Sequence, residues 1–345
     1  MSKSVTKKML PPIENQHSAS WHRRKFVEFV RFKEMAGEPS PHLRTVVHLS
    51  KELSWDEKVW RIGCYAVPYS VLSGEIIWSF WPYAKAKDTA GLTNWIAKHW
   101  QHFHIRTERR CVRTPEKFTK SLLGYHSWMQ KDLLPALTTS LTPGSREYYD
   151  HLWEVMNRVP YFGRYIAIRA LEGLRRLEIV NAELYDIRAI GGHSPVRCLT
   201  LFYPEVETQL LSGDEETVLA CGEQLIKQVK PKVPWLTHYI CAAMLCEYRK
   251  AYEDQHEYAA RTQDQELGHK DKFSAYWKPL GYQSEIPNAR REIFNPLCLG
   301  EIQGWVGLRP ELGGVLRRYE YNWSDVVYDY KATTNRADFS DPVKR

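Results

Sequence analysis

The sequence predicts a mainly α fold. Apolar residues recur at helical spacing in one segment after another. Runs that alternate with period two are few and short. The composition, 43% hydrophobic and 26% charged over 345 residues, is that of a folded globular chain long enough for a sizeable core in one large domain or two.

The elements follow in order. Residues 1–20 read as a loose basic tail, with Lys3, Lys7 and Lys8 ahead of Pro11 and Pro12. The spacing of Phe26, Phe29 and Val30 predicts a helix over 21–35, with Arg23, Arg24, Lys25, Arg31 and Lys33 on its other face. Gly37, Pro39 and Pro41 end it. Residues 44–49 are the best strand candidate. Ser54, followed by Asp56 and Glu57, is an N-cap with acids in the first turn, opening a helix over 55–66 that Pro68 breaks. Residues 71–81 and 94–102 read as further helices rich in Trp. A basic knot at 107–113 leads into a helix over 117–125. A helix over 146–157 precedes the turn at Pro160. Another spans 214–229, and Pro234 opens a long helix over 235–253. Residues 254–290 turn polar and loop-like, and the tail after Ala332 reads as loose. No repeat with a period of 20–50 residues is visible. The expected domains are the basic tail 1–20, a helical domain 21–253, and an irregular C-terminal extension 254–345 packing on it.

The formal net charge of +7 suits a polyanionic partner. Thirteen Trp and twenty Tyr supply flat rings that could stack on bases, although most should be core. Seven scattered Cys, none in a Cys-x-x-Cys pair, read as reduced thiols of a cytosolic protein. No apolar signal core and no run of about 18 apolar residues is found, so a soluble intracellular chain is expected. There is no P-loop, Gly-x-Ser-x-Gly elbow or dinucleotide fingerprint. His99, His102 and His104 cluster without a metal-binding frame, and no metal site is assigned.

Two stretches could carry chemistry. The first is 159–205. Pro160 and Gly163 look like a tight turn opening a helix, where bare backbone can approach another surface and unpaired N–H groups favour phosphate. Arg164, Arg169, Arg175, Arg176 and Arg188 follow. The plainer alternative is an ordinary turn before a core helix with a solvated basic face. Downstream, Asp186 precedes Gly191 and Gly192, which would let a nucleotide backbone come close, and His193 and Ser194 could donate to phosphate. Asp186 could equally be a turn residue, and Ser194-Pro195 simply a helix start. The second stretch is the helix at 235–253. Leu236, Ile240, Ala243, Met244 and Glu247 share one stripe, which puts a carboxylate at the end of an apolar face. A carboxylate there is either paired, as a structural Glu247 ion pair would be, or raised in pKa and suited to acid–base work. Lys250, one turn on, could hold an anion.

Three blocks in these stretches resemble the phage amino acid:DNA transferase family, which is related to alpha-glutamyl/putrescinyl thymine pyrophosphorylases and to the helical domain of 5-hydroxymethyluracil DNA kinases. The first block is 26–34 (FVEFVRFKE), with 60–65 (WRIGCY) after it. The second is 160–167 (PYFGRYIA), with 191–197 (GGHSPVR) downstream. The third is 245–250 (LCEYRK). The segment 189–193 departs from the Pro-Gly-rich stretch of the kinase-type relatives.

The resemblance implies a helix-hairpin-helix, DNA-glycosylase-like fold. It implies thymine hypermodification in phage DNA: an amino acid's amine displaces pyrophosphate from 5-pyrophosphoryloxymethyluracil. Double-stranded DNA with the pyrophosphorylated base and a free amino acid, glycine among the candidates, would be the partners. The place of work would be the cytoplasm of an infected bacterial host. No resident cofactor is assigned, and a role for Mg2+ in pyrophosphate departure stays open. Under this reading Glu247 is the first choice as base and Asp186 the second, with Lys250 beside them. Tyr161, Gly163, Arg164, Gly191, Gly192, His193, Ser194, Arg197 and Arg249 would bind DNA or phosphate. The alternatives are a DNA glycosylase or modified-base-binding protein on the same scaffold, and a DNA-binding protein without enzymatic activity.

Overall fold

The computed structural model describes residues 17–35, 41–183, 193–252 and 275–293. Fifteen α-helices and no strand occur among the described residues. The chain divides into two units, Met1–Pro39 with Asp186–Arg261 and Asn295–Arg345, and Ser40–Tyr185 with Thr262–Phe294.

The second unit is built around a central helix. It holds α2 (Pro41–Ser50), α3 (Trp55–Ala66), α4 (Val71–Phe80), α5 (Tyr83–Ala86), α6 (Thr89–His99), α7 (Pro115–Trp128), α8 (Leu134–Leu137), α9 (Arg146–Met156) and α10 (Arg164–Arg176), and the returning α15 (Ile286–Ile293). Ser54 caps α3 as the sequence predicts, its hydroxyl accepting from the Glu57 N–H. From Val59 to Ala66 every residue of α3 is buried, because α2, α4, α7 and α10 all pack on it. Gly63 is needed there: a Cβ would sit 2.2 Å from the Tyr125 ring of α7. Gly74 lets α4 lie directly against the Tyr65 backbone. Arg61 of α3 and Glu75 of α4 form a buried ion pair, and the guanidinium stacks 3.9 Å from the Trp78 ring centre.

Two expectations are corrected in this unit. Residues 44–49 are helix, not strand, because Leu43, Val46, Val47 and Ser50 are all buried at helical spacing and Pro41 fits a helix start. The alternation of Thr45, Val47 and Leu49 suggested the wrong period. Part of the segment expected as loop is also structured. Trp277 is fully buried with Ile76 and Tyr282, against Phe80, Trp95 and Phe103, and α15 packs on α2. The same segment takes up two of the three clustered histidines. His99 bonds the Tyr276 hydroxyl at 2.7 Å, His102 stacks on the Tyr276 ring, and His104 donates its backbone N–H to Ser73.

The first unit contains α1 (Ala19–Met35), α11 (His193–Leu199), α12 (Glu207–Ser212), α13 (Glu215–Val229) and α14 (His238–Tyr252). Gly213 ends α12 in the left-handed conformation, φ +71°, and Asp214 caps α13. Helix α14 begins later than Pro234 implies, since the Thr237 hydroxyl accepts from the Ile240 N–H and caps it. Helices α1 and α11 both pack on α14. Phe26, Phe29 and Phe202 surround the Tyr248 ring.

Candidate functional site

The turn before α10 is held from below. Tyr161, not Gly163, is the left-handed residue, φ +63°, which costs a non-glycine residue on the order of 1–2 kcal/mol. Its carbonyl accepts from Arg109 Nη1 at 3.0 Å. The Pro160 carbonyl accepts from the Ser121 hydroxyl at 2.8 Å. The Pro160 ring lies on Gly124, where a Cβ would come within 2.3 Å. Gly163 is the N-cap of α10 with ordinary extended backbone, φ −82°, and nothing lies within 4 Å of the place its Cβ would take. No side chain caps the helix, and Arg164 beside it is exposed. The glycine therefore matters as an open helix start rather than as an unusual dihedral.

The arginines that follow do not form one solvated face. Arg169 is buried, donates to the Tyr165 hydroxyl at 2.9 Å and lies over that ring. The Tyr165 hydroxyl also meets that of Tyr69, another left-handed residue. Burial pushes the Tyr69 phenol well above its usual range, so it stays protonated. Arg175 and Arg176 both hold the buried carboxylate of Glu172. Arg188 lies outside the described residues.

In the first unit, the structure joins two of the predicted segments. Arg249 of α14 donates from Nε to the Ser194 hydroxyl in the first turn of α11, at 2.8 Å across 55 residues of sequence. Arg249 is buried, Arg197 is half-buried and His193 is exposed. The apolar stripe is as predicted: Leu236, Ile240, Ala243 and Met244 are buried. Glu247, next on the stripe, is half-buried, with Oε2 closed to solvent. On the neighbouring face, Tyr248 bonds His22 Nδ1 at 3.0 Å. Burial lowers the His22 pKa to about 3, with His17 adding to the shift. Asp186, Gly191 and Gly192 lie outside the described residues, as does the Lys250 side chain.

Sequence reasoning passed over Arg109, Ser121, Tyr69 and His22. Arg109 stood in the basic knot, but its spacing carried no sign that this arginine is buried while Arg110 is exposed. Burial lowers its pKa to about 10, the Cys111 thiol partly opposing the shift, so it remains a cation at neutral pH.

Among the described residues, no group of three or more His, Cys, Asp or Glu is placed to hold a metal ion. No described helix is long and apolar enough to cross a membrane. No curated protein and no solved structure matches the chain. A family model described as amino acid:DNA transferase matches residues 41–255, taking in 60–65, 160–167, 191–197 and 245–250, while 26–34 lies ahead of the match. That range runs from α2 through α14, more than half of the chain, and places this protein in the amino acid:DNA transferase family.

Proposed function

We propose that this chain transfers an amino acid through its amine onto 5-pyrophosphoryloxymethyluracil in phage DNA and releases pyrophosphate. The observation that carries the reading is the open, buttressed start of α10 in a chain of this family. Unpaired N–H groups beside the exposed Arg164 suit a DNA phosphate, which Tyr161 and Gly163 would help to seat. The target base leaves the stack to be reached.

In the reaction, the amine lone pair forms a bond to the exocyclic methylene carbon. The bond from that carbon to the pyrophosphate oxygen breaks, and pyrophosphate departs with the electron pair. The amine must be neutral to attack, so a carboxylate takes its proton, Glu247 in the first instance and Asp186 otherwise. The leaving group gathers negative charge that cations must offset. Arg249 and Arg197 are the arginines for this, with Lys250. The Ser194–Arg249 bond supports the assignment, because it fixes the guanidinium at the first turn of α11.

The test is incubation with DNA carrying the pyrophosphorylated base and a panel of amino acids including glycine, with and without Mg2+. Nucleoside mass spectrometry should find one new nucleoside. Glu247→Gln should lower its yield about 100-fold or more while leaving DNA affinity unchanged. No new nucleoside from a folded, DNA-binding protein overturns the reading, and abasic sites instead would point to base excision.

A further inference from the structure

Residues 106–120 hold six cations and two acids. They form the 3-10 segment Thr107–Val112 and the first turns of α7. Arg110, Arg113, Lys117 and Lys120 are all exposed, and none meets an acidic side chain among the described residues. Several other arginines of this unit do: Arg146 reaches Asp150, Arg158 reaches Asp132, and the half-buried Arg175 and Arg176 share Glu172. Six cations against two acids leave this surface with a net positive potential, which solvent ions screen.

The segment is also fixed to the turn at Pro160. Arg109 holds the Tyr161 carbonyl, Ser121 holds the Pro160 carbonyl, and Gly124 receives the Pro160 ring. Lys117 and Lys120 precede Ser121 and Gly124 by four residues each, so they continue the helix face on which the turn rests. Arg109 beneath is 2% exposed. It donates to the Val67 and Tyr161 carbonyls and to the Cys111 thiol, and its Nη2 has no partner among the described residues. Carbonyl dipoles orient this cation without cancelling its charge.

We infer that Arg110, Arg113, Lys117 and Lys120 form a second track for the DNA backbone, gripping duplex phosphates that flank the modified base. Arg109 is the positioning residue that joins this track to the turn. The inference rests on the proposed phosphate contact at Arg164. It adds a stretch of interface to it, and with it a sequence-independent component of affinity.

The experiment measures affinity for a short unmodified DNA duplex against salt concentration. Every phosphate that the protein ceases to neutralise lowers the slope of log affinity against log salt by about 0.9. The variant with Arg110→Gln, Arg113→Gln, Lys117→Gln and Lys120→Gln changes exposed side chains only, and its melting temperature should match the parent. Its slope should fall by about 3.6. A control that changes four other exposed lysines to Gln, at Lys87, Lys98, Lys227 and Lys230, should keep the parent slope. The exposed Cys111 thiol, 3.8 Å from the Tyr161 carbonyl, should be alkylated more slowly with duplex present. An unchanged slope in the track variant, alongside a lower one in Arg164→Gln, overturns the track and leaves the turn standing. Equal reductions in the track and control variants overturn it as a mere net-charge effect. A parent chain that does not bind duplex DNA overturns both.

Discussion

Arg61 and Arg109 are both buried arginines of one unit, used in opposite ways. Arg61 faces a carboxylate, Glu75, and stacks on Trp78, so its charge is cancelled and its work is to tie α3 to α4. Arg109 meets two backbone carbonyls and a thiol, so its charge is held in place but not neutralised. An acid partner makes an arginine a staple of the core. Carbonyl partners let one arginine shape a turn and still leave a positive field above it.

The contrast between them is broken most readily at Arg61. Arg61→Ala leaves Glu75 buried without its cation and should destabilise the fold by about 3–5 kcal/mol in urea melts. The double change Arg61→Met with Glu75→Leu should be milder than Arg61→Ala alone, because no unpaired charge is left inside. Arg109→Gln removes no carboxylate's partner. It should cost less, about 1–3 kcal/mol for carbonyls left unsatisfied, and should also weaken DNA binding. Arg109→Lys should restore part of that binding by restoring the charge. If Arg109→Gln proves as damaging as Arg61→Ala, the distinction between the two arginines fails.

At the turn itself, Tyr161→Gly should be more stable than Tyr161→Ala by about 1 kcal/mol, since only glycine takes φ +63° without strain. Equal stabilities would mean that the left-handed backbone is not what holds the turn. The smallest effect near neutral pH comes from His22 in the first unit. Its folded pKa, about 3, lies below the ordinary 6.5, so only the unfolded chain takes up a proton between those values. Stability should therefore fall as pH drops below about 6.5, with a slope approaching 1.4 kcal/mol per pH unit from this residue. His22→Gln should flatten that slope, measured by urea melts between pH 7 and 4.

Much of the fold was legible because its signals are local. Ser54, with Asp56 and Glu57 behind it, marks the start of α3, and the stripe from Leu236 to Met244 marks the buried face of α14. Residues 44–49 misled because Thr45, Val47 and Leu49 fit a period of two while Leu43, Val46, Val47 and Ser50 fit the helical period, and only the partners of α2 decide between them. Trp277 was invisible because its partners, Ile76 and Trp95, are about 200 and 180 residues away in sequence, beyond the reach of any local periodicity. At the candidate site the sequence picked out Pro160, Gly163 and Arg164, but placed the unusual backbone at the glycine. Tyr161 takes that conformation because Arg109, 52 residues earlier, holds its carbonyl, and no local pattern encodes that bond.

The central claim is displacement of pyrophosphate by an amine on DNA. It is tested most directly by counting both products of one reaction, pyrophosphate released and aminoacylated nucleoside formed, on DNA carrying the pyrophosphorylated base. Equal amounts are expected, rising together and both falling about 100-fold or more in Glu247→Gln. Pyrophosphate released without a matching nucleoside, or a modified nucleoside formed on DNA that never carried pyrophosphate, would contradict it.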